Sequence, residues 1–166
     1  MNSSIVLRQP TPDELPDDLR WVTQQHGKIY AQEYGWNAEF EVLVAGICTD
    51  FAKNFQPEWE RCWIAEKEGV RMGSIFVVKV DHQTAKLRML ILAPEARGLK
   101  LGARLTDEAI AFARSKGYKK MVLWTNSCLL AARGIYEKRG FSLVKSEPYQ
   151  GFGKDDLISE TWELVL

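Results

Sequence analysis

The sequence predicts a mixed α/β chain of the α+β kind, with one central, mostly antiparallel sheet of about seven strands and helices on both faces. Three observations predict it. From Arg61 to Leu92 three β-type apolar runs follow one another across tight turns, the signature of antiparallel neighbours. Residues 86–117 then read as strand, glycine-bearing turn and amphipathic helix. Residues 119–125 form a compact apolar strand directly after that helix, so they return parallel to the strand ending at Leu92.

At 166 residues, 46% of them of hydrophobic type, the chain buries one substantial core, and residues 1–166 are expected to form a single domain. Lys plus Arg number 22 and Asp plus Glu 22, so charge argues for neither nucleic acid nor a membrane surface as partner. The first five residues lack the regions of a signal peptide and no apolar run approaches a membrane span, which predicts a cytoplasmic protein. Cys48, Cys62 and Cys128 are odd in number, widely separated and flanked by apolar residues. They are expected to be reduced core thiols rather than disulfides or metal ligands, and no metal is expected.

In chain order, residues 4–9 read as a first strand closed by Pro10. Thr11-Pro12-Asp13-Glu14 has a capping-box pattern, but Pro16 removes a hydrogen bond one turn on, so a short turn precedes the main helix. Leu19, Val22 and Ile29 face its core side and Gly27 marks a break or an end. Asn37 caps a second helix whose Phe40, Leu43, Val44, Ile47 and Phe51 make one apolar stripe ending near Asn54 and Pro57. After the three strands and the turn, Gly117 ends the third helix. Asn126 or Ser127 caps a fourth, from about Leu129 to Arg139, with Gly140 past its end. Residues 141–145 and 161–166 are the last strands, and Tyr149-Gln150-Gly151-Phe152-Gly153 an aromatic loop between them.

The turn at 97–103 carries Arg97, Gly98 and Gly102. Backbone N–H groups at such a turn, with the positive end of a helix behind them, make a site for phosphate or pyrophosphate. It lacks the Gly-Lys-Ser/Thr of a P-loop, which excludes that nucleotide-binding class.

The order of elements, the Arg97-Gly98-Leu99-Lys100-Leu101-Gly102-Ala103 turn, and Asn126 followed by Ala132-Arg133-Gly134-Ile135-Tyr136-Glu137-Lys138-Arg139-Gly140-Phe141 together resemble the GCN5-related N-acetyltransferase (GNAT) family, over nearly the whole chain. Residues 26–36, Cys62-Trp63-Ile64-Ala65-Glu66 and Leu123-Trp124-Thr125-Asn126 resemble more closely the acetyltransferase half of bacterial fusions with a MarR-type DNA-binding domain. No room for a winged helix precedes Ile5, so DNA binding is not expected here.

The resemblance implies acetyl-CoA as cosubstrate, held in a V-shaped cleft between the parallel strands. Its pantetheine arm pairs with backbone around Leu90 and Leu92, and its pyrophosphate lies on the N–H groups of Arg97, Gly98, Lys100, Leu101, Gly102 and Ala103. Asn126 then hydrogen-bonds the arm, and Tyr136 is the general acid to the CoA thiolate. The acceptor implied is a primary amine of a small molecule or protein, received by the N-terminal helical region through His26, Tyr30, Glu33 and Trp36. Lys100 departs from the family pattern, standing where a glycine is usual.

No general base is evident, because Lys86 and Arg88 stand where the family's strand carboxylate lies. Residues 86, 88, 90 and 92 share one strand face. Glu33 ranks first as base, with His26 and Glu66 behind it. By spacing alone Tyr136 packs on Phe141, Glu33 is a solvated helix charge, and His26 is a helix-end histidine satisfied by backbone. Lys100 and the missing carboxylate keep a second reading open, an acyl-CoA-binding regulatory or interaction module without turnover. Oligomeric state, homodimer included, is open.

Overall fold

The computed structural model describes residues 4–166. β1 (Val6–Arg8) is shorter than the expected strand. Thr11 and Glu14 form the reciprocal cap that their spacing predicts. The Thr11 N–H donates to Glu14 Oε1 at 2.9 Å, and the Glu14 N–H to Thr11 Oγ1 at 3.3 Å. After that turn α1 (Leu15–Tyr34) begins, with Pro16 in its first turn where no helical hydrogen bond is lost. It runs unbroken through Gly27, against expectation, and stops at Gly35, φ 70°. Gly27 lies where α1 meets α2 (Ala38–Asn54): a Cβ there would come within 2.6 Å of the Glu41 carboxyl carbon.

Asn37 caps α2, its side chain accepting the Glu39 N–H at 3.0 Å. The stripe on α2 divides. Phe40, Val44 and Phe51, joined by Cys48, are buried, whereas Leu43 is exposed and Ile47 partly so; Leu43 and Ile47 line a cavity together with Phe40 and Val44. Cys62 is buried as well, but Cys128 is exposed, so only two of the three thiols belong to the core.

The sheet continues with β2 (Arg61–Lys67), β3 (Val70–Lys79), β4 (Thr84–Leu92), β5 (Lys120–Asn126), β6 (Ser142–Gly151) and β7 (Lys154–Val165). Its order is β1-β2-β3-β4-β5-β7-β6, with β4 and β5 as the parallel pair. α1 and α2 cover one face. α3 (Leu101–Ser115) and α4 (Leu130–Lys138) cover the other, where Leu101, Leu105 and Ala109 pack with Leu87, Met121 and Leu123.

The aromatic loop expected at 149–153 is instead the tip of one long hairpin made by β6 and β7. Its turn residues, Phe152 and Gly153, both have positive φ, 57° and 77°. Phenylalanine is a poor residue for that geometry, and packing overrides the preference. The Phe152 ring is buried against Trp36 and Phe40, at centroid distances of 4.9 and 5.0 Å, and its carbonyl accepts the Asn37 N–H at 2.9 Å.

Asp18 fastens α1 to the sheet. Fully buried, it accepts two hydrogen bonds from Arg8 at 2.7 Å and one from Arg71 at 2.8 Å, while Arg8 also pairs with Glu66. Burial pushes the Asp18 carboxyl up, and the hydrogen bonds from Arg8 and Arg71 more than reverse this, leaving it below the usual range. Among the described residues no helix is long and apolar enough to cross a membrane.

Candidate active site

β4 and β5 pair only from Thr84↔Lys120 to Lys86↔Val122. Beyond that point β4 stays with β3 as far as Leu92, and β5 stays with β7 as far as Asn126, so the two strands diverge into a wedge. Inside the wedge β4 carries a bulge. Between the pairs Ser74↔Ile91 and Phe76↔Arg88 it uses one residue more than β3, and Met89 takes φ 56°. Met89 and Leu90 have no partner residue on β3, and the Ser74 hydroxyl holds the Met89 carbonyl at 2.8 Å.

The extra residue reverses the alternation of the strand. Ala85 and Leu87 pack on the α3 face, and so do Leu90 and Leu92, while Met89 packs with the α1 and α2 core. Residues 86, 88, 90 and 92 therefore do not share one face, contrary to the period-two reading.

The wedge holds two connected chambers that share Tyr30, Leu90, Leu129 and Ala132. The first, about 360 Å³, is lined by Leu92, Arg97, Gly98, Gly102 and Glu33. Gly98 and Lys100 have φ of 81° and 58°, so Lys100 adopts the left-handed geometry that glycine favours. Lys100, Leu101 and Ala103 do not line this chamber; they bring the start of α3, whose first N–H groups have no intrahelical acceptor. Gly102 permits close helix contact, since a Cβ there would meet Ile135 Cδ1 at 2.8 Å.

Glu33 lies in this first chamber. It takes both arms of Arg97, at 2.7 and 2.5 Å, and this hydrogen-bonded pairing holds its carboxyl below the usual range. A carboxylate so occupied is a poor proton acceptor. Glu66, the other carboxylate considered, is engaged with Arg8.

The second chamber, about 400 Å³, holds Asn126, Tyr136, His26 and Trp36. Asn126 does not cap α4, nor does Ser127: α4 starts after Leu129 with no side-chain cap, and Asn126 ends β5. It is 1% exposed, and its Oδ1 is buried with no hydrogen-bond partner. Tyr136 is buried and packs on Phe141 at a centroid distance of 5.6 Å, while also lining the chamber. Burial pushes its phenol well up, so it stays protonated at neutral pH and able to donate. α4 is tied to β7 by Arg133, which donates to the buried Glu160 at 2.8 and 3.2 Å.

His26 sits in mid-helix and not at a helix end. Its Nδ1 is 2.7 Å from the Val22 carbonyl, and burial lowers its pKa to about 4. The ring is neutral at pH 7, and the hydrogen bond assigns the proton to Nδ1, leaving Nε2 as an acceptor. Tyr30 stacks beside it at 6.0 Å, its hydroxyl pushed up by burial. Trp124, Tyr149, Leu43, Ile47, Lys86 and Arg88 also line this chamber, and none was picked out from sequence as a site residue. Among the described residues no three or more His, Cys, Asp or Glu side chains are grouped to hold a metal ion.

The model of the Acetyltransferase (GNAT) family matches residues 24–141. An uncharacterized N-acetyltransferase of Schizosaccharomyces pombe is 30% identical over 139 residues, 83% of this chain and 81% of that protein. Human N-acetyltransferase 8B is 30% identical over 112 residues, and there the match spans only 49% of the relative. Among solved structures, the Salmonella typhimurium yncA protein, determined with its cofactor acetyl-CoA, shares the fold at a TM-score of 0.76 and 21% identity, over 99% of this chain and 95% of that one. The chain belongs to the GNAT acetyltransferase family and is an acyltransferase.

Proposed function

We propose that this protein transfers the acetyl group of acetyl-CoA directly to a primary amine of a small molecule or protein, with Tyr136 as general acid. The observation that carries the proposal is Asn126 Oδ1, a buried acceptor without a donor at the end of β5. Leaving such an atom unpaired costs about 1–3 kcal/mol, and an amide N–H of a pantetheine arm lying in the wedge satisfies it. The facing free edges of β4 and β5 suit the same arm, which pairs like an added strand. Arg97 and the N-terminus of α3 suit a pyrophosphate. The residues present therefore fit the cofactor.

Acetyl-CoA, when bound, supplies the electrophilic thioester carbon and the leaving thiolate. The backbone N–H of Leu90, a residue without a paired partner on β3, is the donor assigned to the oxygen on which charge develops. His26 Nε2 accepts a hydrogen bond from the incoming amine, with Trp36 and Tyr30 around it. Tyr136 gives its phenolic proton to sulfur as the C–S bond breaks and the N–C bond forms, and regains one from solvent. The proton lost by the amine passes to water, not to Glu33, whose role is to hold Arg97 in place. Lys100 keeps the left-handed turn geometry that glycine favours, which supports a turn able to receive a pyrophosphate.

Calorimetric titration with acetyl-CoA tests the site. Wild type is expected to bind at micromolar concentration, and Asn126→Ala at least about tenfold more weakly, the equivalent of about 1.4 kcal/mol. Absence of binding by the folded wild type refutes the proposal.

A further inference from the structure

The bulge at Met89 leaves Lys86 and Arg88 in the lining of the second chamber. Both are partly buried, and among the described residues neither side chain makes a hydrogen bond or ion pair, although both backbones lie in the β4 ladder. No Asp or Glu lines the chamber. The acid that acts on Arg88 is Asp50, an exposed residue of α2, and it does so only through space. Two cations withdrawn from water beside each other, with no carboxylate in contact with either, form a place suited to an anion. Burial lowers the proton affinity of both, and for Lys86 the neighbouring Arg88 adds to it.

Apart from His26, Tyr30, Thr125, Asn126 and Tyr136, the rest of the chamber is walled mainly by apolar and aromatic side chains. Trp124 and Tyr149 meet edge to face at 5.5 Å, and Trp124 and Leu43 keep 39% and 41% of their surface exposed, unlike the packed aromatic residues behind them. With about 400 Å³ of space, the chamber admits a small molecule.

We infer that the acceptor is an amino acid with an apolar or aromatic side chain, its carboxylate held by Lys86 and Arg88 and its side chain by Trp124, Tyr149 and Leu43. This rests on the acetyl-transfer reading and deepens it. It separates the acceptor from two other amine classes: a polyamine brings cations toward cations, and a protein lysine carries no carboxylate near its amine. The transfer balances as before: the amino group gains the acetyl carbon, the thioester loses it, and the carboxylate is unchanged.

The test compares L-phenylalanine and L-methionine with their amides and with spermidine, following thiol release from acetyl-CoA. The α-amino group of the amides is less basic and easier to present neutral, so intrinsic chemistry favours the amides. The structure predicts the reverse, a kcat/KM at least about tenfold higher for the acids. In the Lys86→Met, Arg88→Met double variant the ratio of acid to amide is expected to collapse. Calorimetry gives a second readout: with CoA present, N-acetyl-L-phenylalanine binds wild type more tightly than its amide does.

Equal or faster turnover of the amides, preference for spermidine, or an acid preference that survives the double variant overturns the inference. Loss of acetyl-CoA binding by the wild type refutes instead the transfer reading on which it rests. If acetyl-CoA binds but nothing is acetylated, that reading fails while the calorimetric comparison still decides the anion site.

Discussion

Glu33 grips Arg97 with both carboxylate oxygens, joining the last turn of α1 to the turn before α3 across the outer chamber of the cleft. The pair is solvent-exposed, with side chains 36% and 48% accessible, so it adds little to stability. Its consequence is positional: the guanidinium proposed to meet a pyrophosphate is held in place by an acid that would compete for it.

Glu33→Gln is therefore expected to tighten CoA binding several-fold at low salt and to leave the pH profile of kcat in place. Arg97→Ala should weaken binding by about tenfold. A kcat profile that loses its acidic limb in Glu33→Gln returns Glu33 to the role of base.

Lys100 has φ 58° at the start of α3, where a side chain strains the backbone and glycine does not. In a helix interior Ala is more stable than Gly by about 1 kcal/mol. At this position the order inverts, and Lys100→Gly should be the more stable of the two by about 1 kcal/mol in urea denaturation. Equal stabilities, or the ordinary order, contradict the strain.

His26 binds its proton only near pH 4 in the folded protein, against 6.5 ordinarily. As pH falls below 6.5 the unfolded chain takes up the proton first, so the stability carried by neutral His26 is present above 6.5 and lost down to 4. Between pH 7 and pH 5 the loss amounts to about 2 kcal/mol. Asp18, whose carboxyl is held down, acts in the same direction, so the measurement is the difference between wild type and His26→Phe. Wild type should lose about 2 kcal/mol more over this interval, and parallel curves contradict the assignment.

Helix caps and turn glycines were legible because each is a local hydrogen-bond requirement: Thr11 with Glu14, Asn37, and the left-handed Gly140 after α4 all stand where sequence puts them. The parallel return of β5 was legible from the helix before it. The bulge at Met89 was not, since a methionine in a left-handed conformation carries no turn chemistry and is set by Ser74 and the strand beside it. That one residue decides which of Lys86, Arg88, Leu90 and Leu92 share a face, and so hid the cationic wall of the inner chamber. Phe152 concealed the hairpin for the same reason, its conformation being imposed by Trp36 and Phe40, which are distant in sequence. Leu43 and Ile47 follow core periodicity, and only the divergence of β4 from β5 turns them toward open space.

The central claim is that the phenol of Tyr136 donates a proton inside a cleft that holds acetyl-CoA. It is tested most directly by measuring acetyl transfer and CoA affinity together in Tyr136→Phe. The account predicts an affinity within about twofold of wild type and a kcat lower by about a hundredfold or more. A kcat that survives the substitution, with wild-type CoA affinity, contradicts it.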